Sequence, residues 1–323
     1  MPERAAYPTL PVIVLGGSDR RPVHLPDSGA GQHPLCGYKG ADVRLGGRTL
    51  ISVLLERLLA SGAFNPVLLA GPAEVYRKAG TRVPVIDTDG SFGRNVQVAL
   101  ETVRDQHPGE PVAITTCDIL PDPAELEVAL ADYHRAPRPV LWYPLIRIPE
   151  DRESLGVFGW KPAYQVVPEA GEEAVRVLPG HMVVVEPGAL RRRFLYRLLE
   201  VAYRTRNRPI AYRRPRMVGR LATGLILQDL LNLVWLRPPS LTWTVLRWGL
   251  DAARKLKGGC LTRSELEEAL ARIFVRRSHR RKNPDCTVRV ALLDGLSLAE
   301  DIDTLEEAKA VGGGPSGGGE GEP

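Results

Sequence analysis

PVIVLGG, residues 11–17, decides the fold. A continuous run of β-branched and aliphatic residues passes straight into two glycines. A strand that is buried on both faces reads this way, because neither face needs a polar residue. PVLLA (66–70), VPVI (83–86), PVAITT (111–116), PVLWYPLI (139–146) and TVRVALL (287–293) repeat the form. Between them lie helical stretches. In RTLISVLLERLLASG (48–62), Leu50, Ile51, Leu54, Leu55, Leu58 and Leu59 fall at helical spacing and the run closes on Gly62. DGSFGRNVQVALETV (89–103) is a glycine loop leading into a helix, and DPAELEVALADYHR (122–135) is a further helix. This alternation predicts an α/β fold, a three-layer sandwich with a mostly parallel central sheet and an added C-terminal helical region. Ligands of such sheets bind outside the carboxyl ends of the strands. Both glycine loops and Asp118, which follows PVAITT, fall at those ends.

Away from this frame the pattern loosens. Residues 150–186 read as a β-excursion that forms a lid or a substrate-binding sheet. Residues 189–284 are mainly helical and rich in arginine, and read as an insertion or subdomain of a domain made from 8–188 and 285–310. The glycine-rich tail, 311–323, has too little apolar area to fold and is expected to be disordered.

Composition narrows the function classes. Among 323 residues, 44% are hydrophobic and 25% charged, values of an ordinary globular protein, and the net charge is +5. A modest positive balance suits phosphate-bearing substrates. Cys36, Cys117, Cys260 and Cys286 form no CxxC pair and no metal-ligand spacing with the scattered histidines, which argues for reduced thiols. MPERAAYPTL lacks the pattern of a signal peptide, so a cytoplasmic protein is expected. RRSHRRK (276–282) is the strongest basic cluster; without interleaved aromatics it reads as a solvated run, and no specific nucleic-acid partner is expected. Trp235, Trp243 and Trp248 fit a helical core or a homodimer contact, with peripheral membrane contact as the alternative.

Three stretches carry chemistry. Gly16 and Gly17 let backbone amides approach a nucleotide, and Arg20, Arg21 and Lys39 supply cations, although the pattern is neither GxGxxG nor a P-loop. In TTCDILPDPAEL, Asp118 ends a buried strand where a magnesium carboxylate belongs, whereas Asp122, beside Pro123, reads as a helix cap. In SLAEDIDTLEEA, Thr304 reads as the N-cap of a helix with Glu306 and Glu307 in its first turns. Capping leaves Asp301 and Asp303 unexplained, and a shared metal explains them.

In this order the pieces resemble the nucleotidyltransferases of the glycosyltransferase-A type, especially the branch similar to the molybdenum-cofactor guanylyltransferases. Leu15, Gly16, Gly17, Arg20 or Arg21, and Lys39 match the family's LAGGxGxRM loop and its lysine. GGRTLI (46–51) matches GxxLI, DGSFGRNVQVAL the base-facing loop, and DILP (118–121), loosely, the DxP metal strand. DIDTLEEA (301–308) matches the closing DIDTPEDL, with Leu305 in place of proline. The chain departs in carrying a longer loop between Gly17 and Lys39, and Asp19 where the family has glycine. The resemblance implies transfer of a nucleoside monophosphate from an NTP to a small phosphorylated or hydroxylated acceptor, with release of pyrophosphate. It implies Lys39 and Asp118 as catalytic residues and Mg2+ held by Asp118, Asp301 and Asp303. Ser91 and Asn95 fall near the base, where turn and helix-cap roles serve equally, and Lys161 falls where acceptors are received, or else is a solvated surface lysine. A nucleotide-sugar glycosyltransferase of the same fold, or a scaffold that binds nucleotide without turnover, remains the alternative.

Overall fold

The computed structural model describes residues 7–19, 22–206, 225, 226, 229, 241–284 and 288–312. Its centre is a nine-stranded sheet, built outward from β1 (Leu10–Leu15). On one side of β1 lie β4 (Phe64–Gly71) and β5 (Val85–Asp87); on the other lies β6 (Val112–Thr116), and these four strands are parallel. Antiparallel β10 (Met182–Val185) follows, then β7 (Leu141–Arg147), parallel again to β6. The far edge of β7 takes β11 (Val288–Leu293) in parallel. Its near edge, beyond β10, takes β9 (Val175–Pro179), which carries β8 (Tyr164–Val166). Only β9 and β10 run against the common direction, so the sheet is mostly parallel, as the apolar runs predict. β2 (Arg44–Leu45) and β3 (Arg48–Thr49) form a separate small hairpin.

Strand alternation divides the interior in two. Leu10, Val12 and Val14 point into one core with Leu50, Leu54 and Leu58 of α2 (Leu50–Ser61) and Leu126 and Leu130 of α5 (Pro123–His134). Ile13 and Leu15 point into the other, with Val96, Leu100 and Val103 of α4 (Phe92–Gln106) and Tyr196 of α6 (Arg192–Arg206). The sheet is thus covered on both faces, the three-layer arrangement. α2 is capped by Thr49 and ended by Gly62 in the left-handed region, φ 66°. α5 begins at Asp122, whose carboxylate accepts from the amides of Ala124 and Glu125 at 2.8 and 3.3 Å. The remaining helices are α1 (Lys39–Asp42), α3 (Ala73–Lys78), α7 (Leu241–Lys257), α8 (Arg263–Phe274), α9 (Arg277–Lys282) and α10 (Leu305–Gly312).

Four expectations are revised. The 150–186 excursion does not stand apart from the central sheet: β8 and β9 extend that sheet, and Met182–Val185 becomes β10, wedged between β6 and β7, because MVVV supplies the apolar run that a central strand needs. Trp243 is not part of a helical core but 68% exposed, and Trp248 lies against the guanidinium groups of Arg247 and Arg272; Trp235 lies outside the described residues. RRSHRRK, expected as a solvated run, is helical over 277–282 with Arg280 half-buried. The helices of 189–284 are tied to the sheet layers, α6 lying on α4 and α8 on β11. Val311 and Gly312, expected in the disordered tail, instead end α10, where Val311 packs against the core; the tail from 313 lies outside the described residues. No helix among those described is long and apolar enough to cross a membrane.

Candidate functional site

β1 and β6 end in register, Leu15 opposite Thr116, so the loops that follow leave the sheet side by side. One carries Gly16 and Gly17, the other Asp118. The two glycines do different work. A Cβ on Gly16 would stand 2.5–2.7 Å from the Tyr76 ring, whose hydroxyl donates to the Gly16 carbonyl at 2.9 Å, so glycine is required there for close packing. A Cβ on Gly17 would meet only the Asn95 amide nitrogen, at 3.3 Å. Arg57 donates to the carbonyls of Leu120 and Pro121 at 2.9 and 3.1 Å, fixing the loop behind Asp118.

The C-terminal DIDT segment is delivered to this point by the sheet's last strand. The Ile302 amide donates to the Asp118 carbonyl at 2.8 Å, and the Leu35 amide to the Asp303 carbonyl at 2.8 Å. Thr304 and Glu307 form a reciprocal capping box at the start of α10: the Glu307 amide donates to the Thr304 hydroxyl at 3.3 Å, and the Thr304 amide to the Glu307 carboxylate at 3.0 Å. Glu307 also accepts from the Asp303 amide at 2.7 Å and from the Trp160 indole at 3.0 Å, with no exposed surface.

Asp118, Asp301 and Asp303 thereby converge, each offering a carboxylate oxygen within 4.8 Å of the others. Two buried lysines enter the cluster. Lys39, 3% exposed, places its ammonium 3.0 Å from Asp19 and 3.4 Å from Asp118, and closest to Asp303. Lys161, 6% exposed, lies against Asp301, 3.4 Å from Glu307 and 3.8 Å from Asp303. The solvated-lysine expectation for Lys161 is therefore wrong. A partly apolar strand and loop surround carries it inward, with the Phe158 and Trp160 rings 5.5 and 5.2 Å away. Burial alone would lower both lysines, but Asp118, Asp303 and Asp19 raise Lys39 above its usual range, and Asp301, Asp303 and Glu307 raise Lys161. Burial pushes Asp118 up, but the Lys39 ammonium, helped by His181 and the Thr116 hydroxyl, outweighs it and holds the carboxyl below its usual range. Burial raises Glu307, with the Lys161 charge opposing it.

The cluster suits a divalent cation. Its donors are hard oxygens, and Asp118 Oδ1 is buried with no hydrogen-bond partner. Five carboxylates (Asp19, Asp118, Asp301, Asp303 and Glu307) face two lysines, which leaves an excess of negative charge for a cation to offset.

Of the other sequence candidates, Leu15 contributes backbone at the end of β1, its carbonyl accepting from the Cys117 amide at 3.1 Å. Asn95 is buried, and its side-chain oxygen accepts from Thr88 and from the Gly90 amide, both at 2.8 Å, so it shapes the loop ahead of α4. Ser91 is the N-cap residue of α4 without a side-chain capping bond. Arg20 and Arg21 lie outside the described residues. Sequence reasoning missed four participants. Asp19 stood out only as a replaced glycine, yet it reaches Lys39 and also accepts from the Tyr203 hydroxyl. Glu307 was legible as a cap but not as a buried partner of Lys161, and nothing in the local sequence marked Trp160 or Tyr203. His181, placed 3.5 Å from Asp301, completes the rim.

No family model and no curated protein matches this chain. Among solved structures it is similar to a hypothetical transferase from Thermus thermophilus, with a TM-score of 0.53 and 18% identity over 93% of this chain and 99% of that one. A CMP:2-keto-3-deoxy-manno-octonic acid synthetase in complex with CTP gives 0.41 and 12% over 67% of this chain and 86% of that one. A 4-diphosphocytidyl-2C-methyl-D-erythritol synthase from Anaerococcus prevotii gives 0.41 and 8% over 94% and 96%. These last two are too distant to carry an argument; the first shows that this chain shares the fold of that transferase over nearly its whole length.

Proposed function

We propose that the chain is a divalent-metal-dependent nucleotidyltransferase, moving a nucleoside monophosphate from an NTP to a small phosphorylated or hydroxylated acceptor. The observation that carries this reading is the meeting of Asp118, Asp301 and Asp303 with Lys39 beside the Gly16–Gly17 loop, at the carboxyl ends of β1 and β6. A triphosphate needs cations and backbone donors at one place, and in this reading Lys39, the metal and the loop after Gly17 supply them, the Gly16 amide being engaged by the Ala70 carbonyl at 2.8 Å. Asp118, Asp301 and Asp303 would hold the metal, which when bound neutralises phosphate charge and the departing pyrophosphate. Lys39, released from Asp19, holds phosphate oxygens. Gly17 leaves room for close backbone approach, and Asn95 keeps the loop that faces the base in shape. The acceptor lies on the His181 side, outside the closed-in Lys161, where its oxygen attacks the α-phosphorus.

One observation favours a second reading, nucleotide binding without turnover: the Asp19 carboxylate holds Lys39, a cation that the phosphates would otherwise engage. Thermal unfolding with each of the four common NTPs, with and without Mg2+, tests both readings. Ligand bound only by the native state raises apparent stability by mass action. A magnesium-dependent shift with one nucleotide, abolished by Asp118→Ala in a variant that remains folded, is the expected result. Pyrophosphate release then separates transfer from binding alone. No shift with any NTP, or an equal shift in Asp118→Ala, overturns the metal assignment.

A further inference from the structure

RRSHRRK contributes no residue to the acidic cluster; capped by Arg276, its residues 277–282 form α9 immediately after α8. Arg277, Arg280 and Arg281 of α9, with Glu268, Ala271 and Arg272 of α8 and Pro284, line a cleft of about 380 Å³. Among the described residues four guanidinium groups thus meet one carboxylate, and that carboxylate, Glu268, is already paired with Arg272. Neighbouring arginines have structural tasks: Arg191 donates to the carbonyls of Arg272 and Ile273 at 2.8 and 3.0 Å, and Arg276 to that of Leu190 at 3.0 Å. Arg277, Arg280 and Arg281 make no ion pair among the described residues, and Arg280 Nε is buried without a hydrogen bond. Burial first, and then the like charge of Arg272, pulls the Arg280 guanidinium below its usual range.

A solvated basic face does not account for these features. Where arginines lie on an open face, as Arg48 does beside Glu56, they can reach a carboxylate or spread apart in water. A buried N–H with no acceptor is unfavourable, and gathering like charges around it adds to that cost. A ligand with several anionic oxygens removes both penalties, and guanidinium forks match phosphate oxygens two at a time. The cleft has the size of a small-ligand site. Among the described residues no aromatic lines it, so they offer phosphate recognition without a surface for base stacking.

We propose that the cleft between α8 and α9 is an anion site that takes a phosphoryl group on Arg277, Arg280 and Arg281, distinct from the acidic cluster at Lys39. Its ligand is a free phosphate or the headgroup of an anionic lipid, and two arms of one experiment separate them. Inorganic phosphate is titrated calorimetrically into the full chain in EDTA, which keeps the metal-dependent site out of the readout. In parallel, the chain is sedimented with phosphatidylglycerol or phosphatidylcholine vesicles. Phosphate affinity that falls roughly tenfold in Arg280→Gln, the loss of one charge-assisted contact, supports the site with a free phosphate as ligand. Co-sedimentation with phosphatidylglycerol alone, lost in the same variant, supports it with a lipid headgroup. Should Arg280→Gln fail to fold, exposed Arg277→Gln serves in its place. Absence of binding in both arms, or binding that neither variant weakens, overturns the proposal.

Discussion

Lys39 and Lys161 are both buried cations in one acidic cluster, yet they sit in different kinds of place. Lys161 is closed in: Asp301 and Glu307 take its charge, the Asp301 carbonyl takes a hydrogen bond, and two aromatic rings lie alongside. Lys39 faces the loop of Gly16 and Gly17 and shares its charge among three aspartates, one of which, Asp19, belongs to that loop and is also held by Tyr203. Lys161 welds the α10 start to the loop before β8; Lys39 occupies a position that a metal and a phosphate can contest. The same residue type at the same burial is architecture on one side and candidate chemistry on the other, and the partners decide which.

Removing each cation sharpens this contrast most. Lys161→Ala leaves Asp301 and Glu307 buried without their counter-charge, and breaking such a pair costs about 3–5 kcal/mol. Lys39→Ala is expected to cost a similar amount in metal-free buffer, but excess Mg2+ should recover much of it by occupying the vacated position, as native-state ligands do. Urea unfolding of both variants with and without Mg2+ reads the difference. Equal rescue of both would mean that the Lys161 side is as open to cations as the Lys39 side, and the contrast would fail.

The next test probes the lining of the open side. Gly16→Ala drives a methyl group into the Tyr76 ring and is expected to destabilise by about 1–3 kcal/mol, the cost of overpacking. Gly17→Ala meets only the end of Asn95 and should leave the unfolding midpoint nearly unchanged while weakening the NTP-dependent thermal shift. A large stability loss at Gly17, or an undiminished nucleotide shift, would remove that glycine from the site.

How legible each side was follows from the range of the forces involved. β1, β4, β6 and α2 could be read locally, because continuous apolar runs and helical spacing record burial along the chain itself. Asp118, Asp301 and Asp303 could be nominated separately, since each sits where capping and packing leave a carboxylate unexplained. Their convergence with Lys39 depends on pairings across 79 and 264 residues. The closed side was misjudged because burial of Lys161 rests on Asp301, 140 residues away, and Glu307 disguised its second task behind a capping box that explains it locally. β10 was missed as a central strand for a related reason: MVVV announces burial, but nothing in four residues announces which two strands it will separate.

The smallest expected effect lies just outside the cluster, at the other aspartate of the same loop. Asp118 and Asp122 are four residues apart, and sequence reasoning assigned one to a metal and the other to a helix cap. Asp122 does cap α5, through the amides of Ala124 and Glu125, and is exposed, while Asp118 is buried beside Lys39. Asp122→Ala should therefore cost about 1 kcal/mol, the usual value of an N-cap, and leave the magnesium-dependent nucleotide shift intact. Asp122→Asn, which keeps an acceptor at the cap, should restore most of that stability. Were Asp122→Ala instead to abolish the nucleotide shift at unchanged fold, the boundary of the candidate site would have to move outward along the loop, and the cluster's closed edge would lie beyond α5's first turn.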